Sequence, residues 1–178
     1  FSIPSGSMYP NLKVGDYLFV SKFSYGFSRH SLPFSLPLIP NRVFYKEPQR
    51  GDVIVFKTPE DNRTDYIKRL IGLPGDKISI ESNEIFINGK KIKRTFKEKE
   101  KYKLFNVQKV KETLPNRKSY DVYEFEKSLA ILNTDNFKEV VVPNESFFVL
   151  GDNRDNSQDS RFLGFIPKEN HVGRAELV

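Results

Sequence analysis

The chain has 178 residues and a net charge of +6, which is enough sequence for one domain or for one domain carrying a large insertion. It contains no cysteine and two histidines, His30 and His171, so disulfides, thiolate zinc sites, a cysteine nucleophile and a histidine metal cluster are excluded. Sixteen Phe and eight Tyr, with frequent Val and Ile, predict a mostly β fold.

The first distinctive stretch is Pro-Ser-Gly-Ser-Met at residues 4–8, which places the hydroxyls of Ser5 and Ser7 on either side of a glycine. A serine hydroxyl is a poor nucleophile at neutral pH and needs an adjacent base to accept its proton. Because the histidines are so few, the obvious alternative base is a lysine whose amine is neutral.

Three short apolar runs follow, and each predicts a strand: Asp16–Val20, Asp52–Phe56 and Asp65–Leu73. The first two are entered through Gly-Asp, and the third is followed by Leu-Pro-Gly-Asp. Residues 31–40 contain three prolines, so they predict a loop, and its apolar side chains indicate packing on the core or contact with a membrane interface.

Two turns are predicted downstream. Pro74-Gly75 fits a type II turn, in which proline sets the first dihedral and glycine accepts the positive second one. Asn88-Gly89 lies within Glu84–Ile92 and predicts a β-hairpin with a type I′ turn.

Lys68 is the candidate base because its neighbours on the same strand face are Tyr66 and Leu70. Burial there disfavours the ammonium and lowers the pKa of the amine. The simpler reading is a strand lysine whose amine reaches solvent.

The charge is concentrated in one segment, since residues 90–118 carry 12 Lys and Arg against 3 Glu. Three interpretations of this basic run are open, in decreasing order of preference: a solvated face, contact with anionic lipid headgroups, and nucleic-acid binding. We therefore expect a core formed by residues 1–80 and 141–178, with residues 81–140 as an inserted basic region.

Residues 151–164 are almost all short and polar, which predicts a rigid loop held by side-chain hydrogen bonds. An EF-hand calcium site is excluded: from Asp152, position 3 is Arg154 and position 12 is Leu163, and from Asp155, the required glycine is replaced by Ser160. We expect no metal and no cofactor.

Three stretches together resemble the conserved boxes of bacterial type I signal peptidases, in the family's order. They are Ser-Gly-Ser-Met-Tyr-Pro at residues 5–10, Tyr-Ile-Lys-Arg-Leu-Ile-Gly-Leu-Pro-Gly-Asp at 66–76, and Gly-Asp-Asn-Arg-Asp-Asn-Ser-Gln-Asp-Ser-Arg at 151–161. Asn11 departs from the threonine usual after the box proline. The resemblance implies antiparallel sheets that form a signal-peptidase-like catalytic core with a more variable inserted region.

The resemblance also implies a serine-lysine endopeptidase that removes signal peptides from exported preproteins. Ser7 would be the nucleophile, Lys68 the general base, and Ser157 a hydrogen-bond partner that orients the amine. The hydroxyl of Ser5 and the backbone N–H of Ser7 would form the oxyanion hole. Gly6 would let the substrate backbone approach closely.

Supporting ion pairs are implied between Asp159 and Arg161 and between Asp152 and Arg69. An extended substrate would place small residues in shallow pockets at the first and third positions before the cut, which is the Ala-x-Ala preference. The residues implied to line these pockets are Phe1, Ile3, Pro4, Met8, Leu12, Tyr66 and Ile67.

The implied partners are signal peptides and a phospholipid surface, without nucleic acid or metal. The implied location is the bacterial cytoplasmic membrane, with the catalytic domain on the extracytoplasmic, periplasmic side, anchored by one or more helices upstream of Phe1.

Three other functions stay open. A self-cleaving repressor-type protein shares the serine-lysine dyad, but it would carry an Ala-Gly-like scissile site and usually a DNA-binding half, and neither is recognisable. A non-enzymatic β-barrel module for nucleic acid would bind DNA or RNA in a salt-dependent way that survives Ser7→Ala. A serine hydrolase using His30 or His171 requires one of them near Ser7.

Overall fold

The computed structural model describes residues 3–21, 48–126 and 134–177, and antiparallel strands dominate these ranges. Its largest sheet has six strands. In spatial order they are β1 (Leu18–Ser21), β13 (His171–Leu177), β2 (Val53–Lys57), β3 (Asp65–Gly72), β11 (Ser146–Leu150) and β12 (Ile166–Pro167).

Two smaller sheets complete the architecture. The four-stranded sheet contains, in spatial order, β10 (Phe137–Val141), β4 (Lys77–Glu81), β5 (Glu84–Ile87) and β6 (Lys90–Lys91). The three-stranded sheet contains β7 (Lys93–Tyr102), β8 (Phe105–Thr113) and β9 (Ser119–Phe125). A short helix, α1 (Ser160–Leu163), lies between β11 and β12 in the chain.

The prediction of a mostly antiparallel β protein is confirmed. The second and third predicted strands match β2 and β3 to within a residue at each end, whereas β1 begins two residues later than predicted. Both turns also match their predicted conformations, since Gly75 has a φ of 86° and Asn88 and Gly89 have φ values of 53° and 76°.

The largest hydrophobic cluster joins the sheets. Ile71 and Leu150 from the six-stranded sheet pack with Ile85 of β5 and with Val110 and Val122 of the three-stranded sheet. The region predicted as an insertion therefore shares a core with its flanks, and the proposed division at residues 80 and 141 stays a prediction.

The pairing of β3 positions the candidate site. β2 pairs with β3 along Asp65–Arg69, but β11 pairs with β3 only from Arg69 onward. Among the described strands, the other edge of residues 65–68 is therefore open to an added strand.

Some sequence predictions concern residues beyond the described ranges: Phe1, His30 and the apolar loop at 31–40. In the described part of the chain, we find no helix with the length and apolar character needed to cross a membrane.

Candidate active site

Ser7 and Lys68 meet although they are 61 residues apart in sequence. The Lys68 Nζ lies 2.8 Å from the Ser7 Oγ and donates a second hydrogen bond to the Ile67 carbonyl at 3.0 Å. Both side chains are buried, with Lys68 at 4% exposure and Ser7 at 7%. An ammonium in this position donates to the hydroxyl, whereas a neutral amine can accept the hydroxyl proton.

Burial lowers the pKa of Lys68 from 10.5 to about 8, and the charges of Asp159 and Asp152 oppose this shift. The aromatic ring of Tyr66 lies 5.2 Å from the Nζ, as expected for neighbours on one strand face. With a pKa near 8, about one amine in ten is neutral at pH 7, far more than for an ordinary lysine, and a general base needs such a neutral form.

Asn153 holds the peptide group between Gly6 and Ser7. Its Nδ2 donates to the Gly6 carbonyl at 3.0 Å, and its backbone N–H donates to the Ser7 carbonyl at 3.0 Å. Because C=O and N–H point in opposite directions across a trans peptide, the Ser7 N–H faces away from the Asn153 side chain. Within the described residues, that N–H has no hydrogen-bond acceptor.

Ser5 lies beside the nucleophile candidate. Its Oγ is 3.3 Å from the Ser7 Oγ, and the residue is exposed. The Ser5 hydroxyl thus lies beside the Ser7 Oγ, and an oxyanion hole formed by this hydroxyl and the Ser7 N–H stays a prediction.

Ser157 is buried close to the site, but its predicted hydrogen bond to Lys68 is not formed. Within the described part of the chain the Ser157 Oγ has no hydrogen-bond partner, because the Lys68 amine contacts Ser7 and the Ile67 carbonyl instead. Gly151 makes room for it, since a Cβ there would lie 2.1 Å from the Ser157 Oγ and 2.7 Å from the Ser7 carbonyl oxygen.

Both predicted ion pairs are present. Arg69 donates to the two carboxylate oxygens of Asp152 at 2.8 and 2.7 Å, and Arg161 donates to those of Asp159 at 2.9 and 2.9 Å. Burial opposes the charge on Arg69, but Asp152 more than offsets it, so the pKa of Arg69 is raised. Asp159 also accepts from the Gly151 N–H at 2.9 Å, which fixes the loop beside Ser157.

Gly6 is also required by a contact inside the protein, whereas its predicted role in substrate approach stays a prediction. A Cβ on Gly6 would lie 1.9 Å from the hydroxyl oxygen of Tyr102, so this residue of β7 already occupies the space that a side chain would need. A long-range contact of this kind leaves no signal in the local sequence around residue 6.

Sequence analysis also missed a buried charge network that reaches the site from the charged middle region. Glu112 accepts two hydrogen bonds from Arg154 at 2.5 Å each and pairs with Arg94 at 3.2 Å. The available signal was alternation, because Val110, Glu112 and Leu114 are buried at every second position. Arg154 also donates to the Gly151 carbonyl at 3.1 Å, which connects this network to the loop beside Ser157.

A cavity of about 390 Å³ opens beside Ser7 and Lys68. Five predicted substrate-contacting residues line it: Ile3, Pro4, Met8, Tyr66 and Ile67. Leu12 does not; it is buried behind the cavity wall in a cluster with Ile3 and Met8. His171 lies in the core against Phe147 and is not part of the described lining, so it is poorly placed to act as the base for Ser7.

Comparison with known proteins assigns the chain to a family. A family model described as signal peptidase, peptidase S26, matches residues 1–178. The chain belongs to the signal peptidase family. Membership makes this signal peptidase homologue a peptidase, in keeping with a buried serine and lysine beside an open cavity.

Curated relatives support the assignment along the whole chain. The signal peptidase I of Rickettsia typhi is 45% identical over 190 residues, which cover 100% of this chain and 70% of that protein. The signal peptidase I of Rickettsia felis is 44% identical over 197 residues with the same coverage. A crystal structure of a signal peptidase I from Enterococcus faecalis V583 matches 72% of this chain and 97% of its own, with 30% identity and a TM-score of 0.44.

Proposed function

We propose that this member of the signal peptidase family cleaves the signal peptides of exported preproteins after small residues, with Ser7 as the nucleophile and Lys68 as the general base. The observation that carries the proposal is the 2.8 Å contact between the Lys68 Nζ and the Ser7 Oγ in a buried setting. This geometry supports the proposal because it places a hydroxyl within hydrogen-bond reach of an amine whose pKa is lowered to about 8.

In the first step, the neutral amine of Lys68 accepts the Ser7 proton while the Oγ attacks the scissile carbonyl carbon. The carbonyl oxygen becomes an oxyanion, which accepts hydrogen bonds from the Ser7 N–H and the Ser5 hydroxyl. One such donor contributes about 3 kcal/mol of transition-state stabilisation. Asn153 supports this step because it fixes the direction of the Ser7 N–H.

In the second step, the ammonium of Lys68 gives its proton to the leaving amine as the C–N bond breaks, which leaves an ester on Ser7. A water molecule, deprotonated by the same amine, then attacks that ester. Its breakdown releases the carboxyl product and returns the proton to Ser7. The buried Ser157 hydroxyl is suited to accept a hydrogen bond from Lys68 if the ammonium swings away from Ser7.

The substrate would add itself as an extended strand along the open edge of residues 65–68. Main-chain hydrogen bonds give affinity in this mode, and pockets for alternate side chains give specificity. Ile3, Met8 and Tyr66 narrow the cavity around the residue before the scissile bond, which favours alanine at the first and third positions.

Two features of the chain support membrane association, and we propose a location on the extracytoplasmic side of the cytoplasmic membrane because the proposed substrates are exported preproteins. Val14, Tyr17 and Phe19 are exposed at 53%, 76% and 70%, which suits contact with the apolar part of a bilayer. The basic segment at 90–118 would attract anionic headgroups.

The decisive experiment measures cleavage of a peptide containing Ala-x-Ala in detergent or lipid. Ser7→Ala and Lys68→Met should each reduce kcat by at least about 10³-fold, because the nucleophile and its base act as one unit. Lys77→Met, which removes an exposed lysine of β4, is the matched control and should cleave normally. Unchanged circular dichroism would show that the folds are intact, and cleavage retained in either active-site variant would refute the proposal.

A further inference from the structure

A second cavity lies next to the one that holds Ser7 and Lys68. It has a volume of about 740 Å³, and it shares Pro4, Ser5 and Asn156 with the first cavity. Ser5 and Asn156 thus form a ridge between the two spaces. Ser7 and Lys68 line the first cavity and are absent from the described lining of the second.

The far wall of the second cavity is basic. Lys101 and Lys103 line it, on either side of Tyr102, and both lysines are exposed. Among the described residues of this lining there is no Asp or Glu. The described lining of this cavity therefore carries two lysines and no carboxylate, and Lys101 also borders a neighbouring cavity that is lined by Glu100 and Glu126.

Tyr102 connects this basic wall to the candidate active site through contacts with Gly6 and Asn156. Its ring is buried, its hydroxyl occupies the space beside Gly6, and it accepts a hydrogen bond from the Asn156 side chain at 3.3 Å. The Lys103 Nζ lies 5.5 Å from the centre of the Tyr102 ring. The backbone that carries both lysines is thus anchored beside the Ser5–Gly6–Ser7 turn through Tyr102.

We propose that this second cavity, here called the lysine cavity, binds the first few substrate residues after the scissile bond and favours acidic side chains among them. The inference rests on the proposed function, which places the residues before the cut in the first cavity. The scissile carbonyl carbon then lies against the Ser7 Oγ with its oxygen directed toward the Ser5 hydroxyl, and the chain that follows leaves across the Ser5–Asn156 ridge. An extended peptide advances about 3.3–3.6 Å per residue, so the lysine cavity receives residues close to the cut.

Charge complementarity decides the class of side chain. Two exposed ammonium groups attract a carboxylate and repel a lysine or arginine, and each exposed pair changes affinity or rate by about 2- to 5-fold. Selection would therefore be graded and would weaken as salt rises, because exposed charges are screened. This graded selection by charge after the scissile bond differs from the selection before it, which depends on how large a side chain the pockets admit.

The test uses Ala-x-Ala peptides with one Glu moved through the first four positions after the scissile bond, each compared with the same peptide carrying Gln. For the unmodified protein in neutral detergent at low salt, kcat/KM should be about 3- to 10-fold higher with Glu at one or two of these positions. The double variant Lys101→Gln/Lys103→Gln should lose that advantage and cleave the Gln peptides at the normal rate.

The matched control is Lys93→Gln/Lys111→Gln, which removes two exposed lysines from the same sheet outside the described lining of the cavity. It should retain the full preference for Glu. No preference in the unmodified protein, or a preference that survives in the Lys101/Lys103 variant, would overturn the inference. If the Gln peptides were not cleaved at all, the proposed function itself would fail.

Vesicle sedimentation distinguishes substrate binding by Lys101 and Lys103 from lipid binding by the same two residues. A Lys101/Lys103 variant that bound less to vesicles of anionic phospholipid while keeping its Glu preference would assign the two lysines to headgroup binding and overturn the proposal. The expected pattern is a lost Glu preference with at most a small loss of vesicle binding, because ten of the twelve basic residues at 90–118 remain.

Discussion

Lys68 and Arg69 are consecutive basic residues of β3 that point to opposite faces of the strand, and both are buried. Lys68 contacts the hydroxyl of Ser7 and the carbonyl of Ile67, which are neutral groups. Arg69 instead forms a two-point contact with the carboxylate of Asp152 and stacks 4.1 Å from the Tyr120 ring. The pKa of Lys68 is consequently lowered to about 8, whereas that of Arg69 is raised.

The difference shows that burial alone does not decide the charge of a basic group. A hydrogen-bonded carboxylate stabilises the cation, and without one the loss of water favours the neutral form. The two carboxylates that act on Lys68 electrostatically, Asp159 and Asp152, are each hydrogen-bonded to an arginine. Because these two carboxylates pair with Arg161 and Arg69, no carboxylate among the described residues contacts the Lys68 amine directly.

Replacing Asp152, the carboxylate partner of Arg69, should cause the largest change in the free energy of unfolding. Asp152→Asn would leave a buried guanidinium without its counter-charge, and we expect the free energy of unfolding to fall by about 3–5 kcal/mol. Denaturant unfolding monitored by tyrosine fluorescence measures this loss.

The control for that variant is Asp65→Asn, which removes the carboxylate from a more exposed pair with Lys57 at 2.7 Å. It should cost at most about 1 kcal/mol. Equal losses in the two variants would mean that the Arg69–Asp152 pair does not support a buried charge.

Replacing Lys68 should raise the free energy of unfolding, by less than the Asp152 variant lowers it. A lysine pKa lowered from 10.5 to about 8 penalises folding at every pH below 8, so Lys68→Met should be more stable than the unmodified protein by up to about 3 kcal/mol at pH 7. Between pH 8 and 10.5 the unfolded chain still binds the proton that the folded chain has lost, so the unmodified protein gains stability and the difference shrinks.

Unfolding curves at several pH values from 6 to 10.5 check this prediction. Lys77→Met serves as the reference, because it makes the same substitution at an exposed position of β4. A Lys68→Met protein less stable at pH 7, or a difference that stayed constant up to pH 10.5, would contradict a lowered lysine pKa.

The parts of the fold and site that sequence predicted are those with local signals. Apolar runs behind Gly-Asp marked two strands, Asn88-Gly89 marked a hairpin, and the resemblance to signal peptidases gave Ser7 and Lys68 together. The strand β7 could not be predicted, because it is exposed along almost its whole length and lacks an apolar face to reveal its alternation.

The parts that sequence missed depend on contacts between distant segments. The Glu112–Arg154 pair joins residues 42 positions apart, and the Asn153 contacts with the Ser7 turn span 146 or 147 positions. The Ser157 hydroxyl is close to the site, yet its orientation is fixed by packing that no local pattern encodes. Leu12 likewise matches the apolar character of a pocket residue but lies behind the wall.

The most direct measurement is the titration of the Lys68 amine by NMR, using lysine labelled at Cε or Nζ and Lys68→Met to assign the signal. Burial beside Tyr66, with neutral hydrogen-bond partners, predicts an apparent pKa of about 8 for Lys68, well below the ordinary lysine value of about 10.4. A Lys68 signal that titrated at or above the ordinary lysine value would contradict the neutral base on which the proposed cleavage depends.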